Sequence, residues 1–222
     1  MKRLRVLVVA GALALGTAGA GTAQAAPAPS GAASGCPAGE VFATDNTAVI
    51  TDPADPRLKT RLVRFDREVR GIVHANGART GRSTLLDGVF WSGDLKQTTY
   101  ERSRQFEVNR VNRDGLHHIA GVIAKEYHQE SVLTFRCLPR TSPETDAVEI
   151  RASGVSATRL HDALVADPHA RDELGGGSVT LDGQLILIAP LADLSLARNF
   201  TAKLGVDWSK AEVRYGDEEF VS

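Results

Sequence analysis

The chain has 222 residues, with 26 Lys+Arg against 27 Asp+Glu and a formal charge of −1. A near-neutral balance without a basic block leaves no electrostatic footprint for nucleic acid or for an anionic membrane surface. The length allows one sizeable core or two small ones.

At the N-terminus, Lys2, Arg3 and Arg5 precede an apolar run from Val6 to Gly21, followed by the small-x-small site Ala23-Gln24-Ala25. Charge, greasy run and small-residue site together predict a secretory signal cleaved after Ala25. The run is short for a membrane span and carries four glycines. No other apolar run approaches membrane length. Loss of Lys2, Arg3 and Arg5 leaves 23 basic against 27 acidic residues, a mildly acidic charge of −4.

Cys36 and Cys137 are the two cysteines of the chain. In an exported protein they are expected to pair, closing a loop of roughly 100 residues worth at most about 4–5 kcal/mol by chain entropy. A competing reading treats Ala33-Ser34-Gly35-Cys36 as the end of a lipoprotein signal, with Cys36 as a lipid anchor. Residues 26–39 are rich in Pro, Ala, Gly and Ser and read as a flexible leader.

Val41 to Thr51 predicts a first strand, interrupted at Asp45-Asn46. Asp55 as cap and Pro56 at the first helical position open an amphipathic helix running to Val73. Leu58, Leu62, Phe65, Val69, Ile72 and Val73 share one stripe, and Asn76-Gly77 supplies the stop. Ser83–Ser92 and Thr98–Val111 then read as the two strands of a central hairpin turning at Gly93-Asp94. A second amphipathic helix carries Leu116, Ile119, Ala120, Ile123 and Tyr127, and Ser131–Cys137 is a strand.

The pieces Glu101-Arg102-Ser103 and Gln129-Glu130-Ser131-Val132-Leu133 resemble a family of small secreted bacterial proteins known only as a domain of unknown function. The likeness spans Val41 to Leu138. It implies a split α+β arrangement and brings no assigned activity.

The remainder begins with a linker at Thr141–Thr145 and a short strand at Ala147–Ile150. Helices follow at Ser156–Ala166 and from Pro168 to Leu174, the latter ended by Gly175-Gly176-Gly177. Val179–Leu181 and Gln184–Ile188 form a hairpin about Asp182-Gly183, and Asp193–Leu204 is a helix closed by Gly205. The last stretch to Ser222 is polar and unassigned, and no internal repeat is evident.

The expected fold is therefore α+β. Residues 40–139 form a ferredoxin-like split β-α-β antiparallel sheet with both helices on one face, and residues 146–222 form a smaller α+β unit packed on it. The helix-free sheet face needs a cover, supplied by the C-terminal unit, a ligand, or a second copy in a homodimer.

Candidate chemistry is sparse. His117, His118, His128, His161 and His169 have no spacing that gathers them on one ion, so no metal is expected. No motif cradles a cofactor, and no serine sits in a nucleophile elbow. One constellation stands out on the third strand, where alternation puts Thr99, Glu101, Ser103, Gln105 and Glu107 on one face and Tyr100, Arg102, Arg104, Phe106 and Val108 on the other. Glu101 and Glu107 could act as acid or base if partly buried, although at about 3.3 Å per residue they stand about 20 Å apart and cannot work as a pair. Arg102 and Arg104 could bind a carboxylate or phosphate. Against this stands a half-solvated strand whose charges block edge pairing. The leading expectation is a secreted, non-enzymatic binding or interaction module. The alternative is a small extracellular enzyme or small-molecule binder with a pocket between sheet and C-terminal unit.

Overall fold

A computed structural model describes residues 36–222. The predicted signal segment, its cleavage point after Ala25 and most of the leader lie outside the described residues. Eight strands close into one antiparallel barrel. In chain order they are β1 (Gly39–Ala43), β2 (Arg79–Ser92), β3 (Gln97–Asn109), β4 (Val132–Cys137), β5 (Ala147–Ser153), β6 (Gly176–Thr180), β7 (Gln184–Pro190) and β8 (Glu212–Val221). Among the described residues five α-helices cover them: α1 (Val63–Ala75), α2 (Arg113–Glu126), α3 (Ala157–Ala166), α4 (Pro168–Leu174) and α5 (Leu194–Lys203).

The ring runs β1-β3-β2-β6-β7-β5-β8-β4 and closes from β4 back to β1. This corrects the expected ferredoxin-like sheet with an open face and a separate unit docked on it. β2 pairs with β6, with Gly88 opposite Ser178, and β4 pairs with β8, with Phe135 opposite Glu218. Both edges of the first four strands are thus hydrogen-bonded to the second four. The face expected to dock a cover or a homodimer partner is the inside of the barrel.

The ring also has an internal two-fold pattern. The first half places its strands in the order β4-β1-β3-β2 and the second in the order β8-β5-β7-β6. Corresponding strands meet at both seams.

The element overlooked from sequence is β8. Its ten residues, Glu-Val-Arg-Tyr-Gly-Asp-Glu-Glu-Phe-Val, carry charge on both alternating faces, because one face meets polar groups of the barrel interior. Gly216 is required there. A Cβ would stand 2.3 Å from the Arg136 carbonyl oxygen and 2.5 Å from the Phe135 ring.

The apolar sets of the strands face outward, beneath the helices. Val41, Phe106, Val108, Val132 and Val221 pack with Phe65, Val69, Ile119 and Ile123 of α1 and α2. Val148, Ile150, Leu185 and Leu187 pack with Leu160 and Leu164 of α3 and Phe200 of α5.

The helix expected from Pro56 to Val73 is broken. A single 3-10 turn spans Pro56–Lys59, and α1 starts only at Val63 after Leu62 takes a left-handed φ of 51°. The cause is local competition for hydrogen bonds. The Leu58 carbonyl accepts from Arg102 Nε, while the Leu62 N–H donates to Thr60 Oγ1 at 3.3 Å, so the helical bond between residues 58 and 62 is absent. The glycine run is also divided. Gly175, at φ 71°, ends α4, whereas Gly176 and Gly177 open β6.

Candidate functional site

With the apolar sets turned outward, the alternate residues of each strand point into the barrel. At the end formed by the start of β1 and the start of β8 the interior is ionic. Glu40 and Glu149 are 1% and 0% exposed. Arg151 Nη2 donates to Glu149 Oε1 at 2.8 Å and to Glu40 Oε1 at 3.2 Å, and Arg214 Nη2 donates to Glu40 Oε1 at 2.5 Å and to Glu149. Gln105 Nε2 adds a donor to Glu40 Oε2 at 2.6 Å. Two carboxylates and two guanidiniums thus neutralise one another, and the Gln105 amide adds a neutral hydrogen bond. Removing one partner from such a group is costly, because it strands a buried charge.

Cys36 and Cys137 form a disulfide at this same end, with Cα atoms 6.3 Å apart, and Arg214 Nη1 lies 3.7 Å from Cys36 Sγ. The bond fits the expected pairing and an oxidising compartment.

The opposite end is open. Here the interior holds a cavity of about 530 Å³ bounded by the ends of β1, β2, β7 and β8 and the starts of β3, β4 and β6. Its walls are largely apolar, with Phe42, Phe90, Leu133, Ile186, Ile188 and Phe220 contributing. Phe220 belongs to the inward set of β8 yet is 66% exposed, as a residue on an open rim must be. Glu101 and Ser103 of β3, Ser178 of β6 and Glu218 of β8 bring polar groups to it.

A second, lateral cavity of about 480 Å³ adjoins the first. β1 ends at Ala43, and the chain swings out through Asn46 before the Ile50 carbonyl returns to accept from the Tyr100 N–H at 2.8 Å. The gap so left in the wall is lined by Thr44, Tyr100, Glu101 and residues 128–131. Phe90, Glu101, Gln129 and Ser131 line both cavities. The interruption expected at Asp45-Asn46 is therefore the origin of this opening.

Burial raises the Glu101 carboxyl above its ordinary range, opposed by a hydrogen bond from Ser103. Burial also raises Glu218, aided by the neighbouring negative charge of Asp146. A carboxyl taken from water without a counter-charge resists ionisation.

The three candidate residues lie on opposite faces of β3, as their alternation predicts. Glu101 faces inward and lines both cavities. Arg102 and Arg104 face outward, as strand alternation requires, and do not reach either one. Arg102 is 9% exposed, held by Asp87 at 2.8 Å and by the Leu58 carbonyl. Arg104 Nη1 contacts Asp66 Oδ1 at 3.1 Å and Ser83 Oγ at 2.7 Å. Both arginines fix the 3-10 turn and α1 against the barrel, and the expected half-solvated edge is a central strand paired on both sides. Glu218 and Phe220 were missed because β8 was unassigned. Phe42, Leu133 and Ile188 were visible as strand residues, but nothing in their spacing marked an interior wall.

The histidines are dispersed. His117 Nδ1 lies 3.0 Å from Glu219, and His161 Nδ1 lies 2.9 Å from Asp162. Among the described residues no group of three or more His, Cys, Asp or Glu side chains is placed to share one metal ion. Among the same residues no helix is long and apolar enough to cross a membrane.

No protein-family model and no curated protein matches the chain, so the resemblance read from Glu101–Ser103 and Gln129–Leu133 is not shown. Among solved structures, the chain is similar to that of a candidate monooxygenase from Lactobacillus acidophilus NCFM. The identity is 12%, the likeness covers 84% of this chain and 96% of that one, and the TM-score is 0.25. A superposition at that level transfers neither fold nor activity.

Proposed function

We propose that this is an exported small-molecule-binding protein whose ligand enters the open end of the barrel. The observation that carries the reading is the cavity of about 530 Å³, apolar in most of its wall and supplied with a few convergent polar groups. Size, concavity and that mixture are the usual attributes of a ligand pocket. The ion cluster at the other end supports the same polarity of the molecule, since it fills the interior there with matched charge. Export is supported by the disulfide and by the N-terminal sequence pattern.

The test is a thermal-shift screen of the protein lacking residues 1–25 against small compounds with an apolar body and one polar head. Wild-type protein is expected to be stabilised by at least one class. Ile188→Trp, which places an indole in the cavity from a half-buried rim position, is expected to fold and to lose that response. Persistence of the shift in Ile188→Trp sinks the assignment of the ligand to this cavity.

A further inference from the structure

Charge in the open cavity is one-sided. Glu101, Glu218 and, at the rim, Glu173 line it, and no Lys, Arg or His does. Elsewhere the enclosed carboxylates have cationic partners. Glu40 and Glu149 meet Arg151 and Arg214, Asp217 meets Arg136 at 3.0 Å, Asp87 meets Arg102 at 2.8 Å, and Asp66 meets Arg70 at 3.1 Å. Among the described residues no ion pair includes Glu101 or Glu218. The Glu101 carboxyl has the Ser103 hydroxyl as its polar neighbour, and Glu218 has the like charge of Asp146. A protein that matches its other enclosed carboxylates leaves these two open toward one cavity.

The walls around them are aromatic. Phe42, Phe90 and Phe220 border the space, and aromatic faces attract a desolvated cation. An anionic ligand meets repulsion and no cationic donor. A neutral ligand is matched only while both carboxyls keep their protons, and offers no counter-charge once they ionise. A bare metal ion lacks a gathered set of ligands among the described residues.

Resting on the binding reading above, we propose that the cavity selects lipophilic organic cations. These are ammonium compounds with an aromatic or branched apolar body, for which Glu101 and Glu218 supply the counter-charge.

The test is calorimetric titration, at about pH 8 because higher pH favours the ionised form of raised carboxyls, with three compounds of matched shape: 2-phenylethylammonium, 2-phenylethanol and 3-phenylpropionate. The ammonium is expected to bind about tenfold tighter than the alcohol or better, and the propionate not detectably. In a Glu101→Gln/Glu218→Gln variant, whose fold is checked by circular dichroism and thermal unfolding, the ammonium falls to the level of the alcohol. The alcohol binds the variant at least as tightly as it binds wild-type protein. Equal binding of ammonium and alcohol to wild-type protein overturns the charge selection while leaving the cavity reading intact. Binding of none of the three overturns both. A preference for ammonium that survives in the double variant overturns the assignment to these two carboxylates.

Discussion

Glu101 and Glu149 are both glutamates on inward strand faces, and their surroundings give them opposite roles. Glu149 is wholly buried, and Arg151 and Arg214 compensate it, so it closes one end of the barrel. Glu101 looks into open space with a hydroxyl for company, and burial raises its pKa. The sign of the consequence follows from linkage. The folded state holds the Glu101 proton above the ordinary value of 4.5, where the unfolded chain has released it. Stability therefore declines as pH rises from that value toward the raised one. Glu101→Gln removes the decline. The variant is expected to unfold at a higher temperature than wild type at about pH 7.5 and at the same temperature at about pH 4. A variant less stable than wild type at the higher pH contradicts the environment described here.

At the scale of elements, the two features that depart most from local propensity are the break at Leu62 and the closing strand β8. The break exchanges one helical hydrogen bond for a charged donor, Arg102, on the Leu58 carbonyl. That places the 3-10 turn against the outside of β3. β8 depends on Gly216, whose missing side chain admits the Phe135 ring and the β4 backbone. A Cβ at 2.3 Å from a backbone oxygen cannot be relieved by rotating a side chain, so Gly216→Ala must part the β4–β8 seam. Overpacking of this kind costs about 1–3 kcal/mol, read as a lower denaturation midpoint in urea. Unchanged stability places the seam elsewhere.

For the whole molecule, ring closure leaves no free sheet edge between the halves, which suppresses edge-to-edge association. The disulfide ties the first described residue, Cys36, to the end of β4 across a sequence separation of 101. In the chain-entropy view, replacing both cysteines by serine costs at most about 4–5 kcal/mol. The variant is expected to unfold at correspondingly lower urea. It keeps the open cavity, because Cys36 and Cys137 lie at the ionic end.

Local physics made much of the chain legible without coordinates. The apolar stripe through Phe65, Val69 and Val73, the face through Leu116, Ile119 and Ile123, the hairpin about Asp182-Gly183 and the alternation along β3 all emerge as read, because each rests on neighbours within a few residues. The signal pattern also rests on neighbours within a few residues, and it lies outside the described residues. What the sequence could not express is which side of a strand faces water. The charged alternate positions of β3, Glu101 among them, read as a half-solvated strand, and nothing local marks Glu149, Arg151 and Arg214 as buried. Tertiary closure turns these four residues inward, where Arg and Glu neutralise each other at one end and two carboxylates remain open at the other. The partners of those residues stand up to 174 positions apart. Pairing over such separations depends on the ring as a whole, which no local pattern encodes.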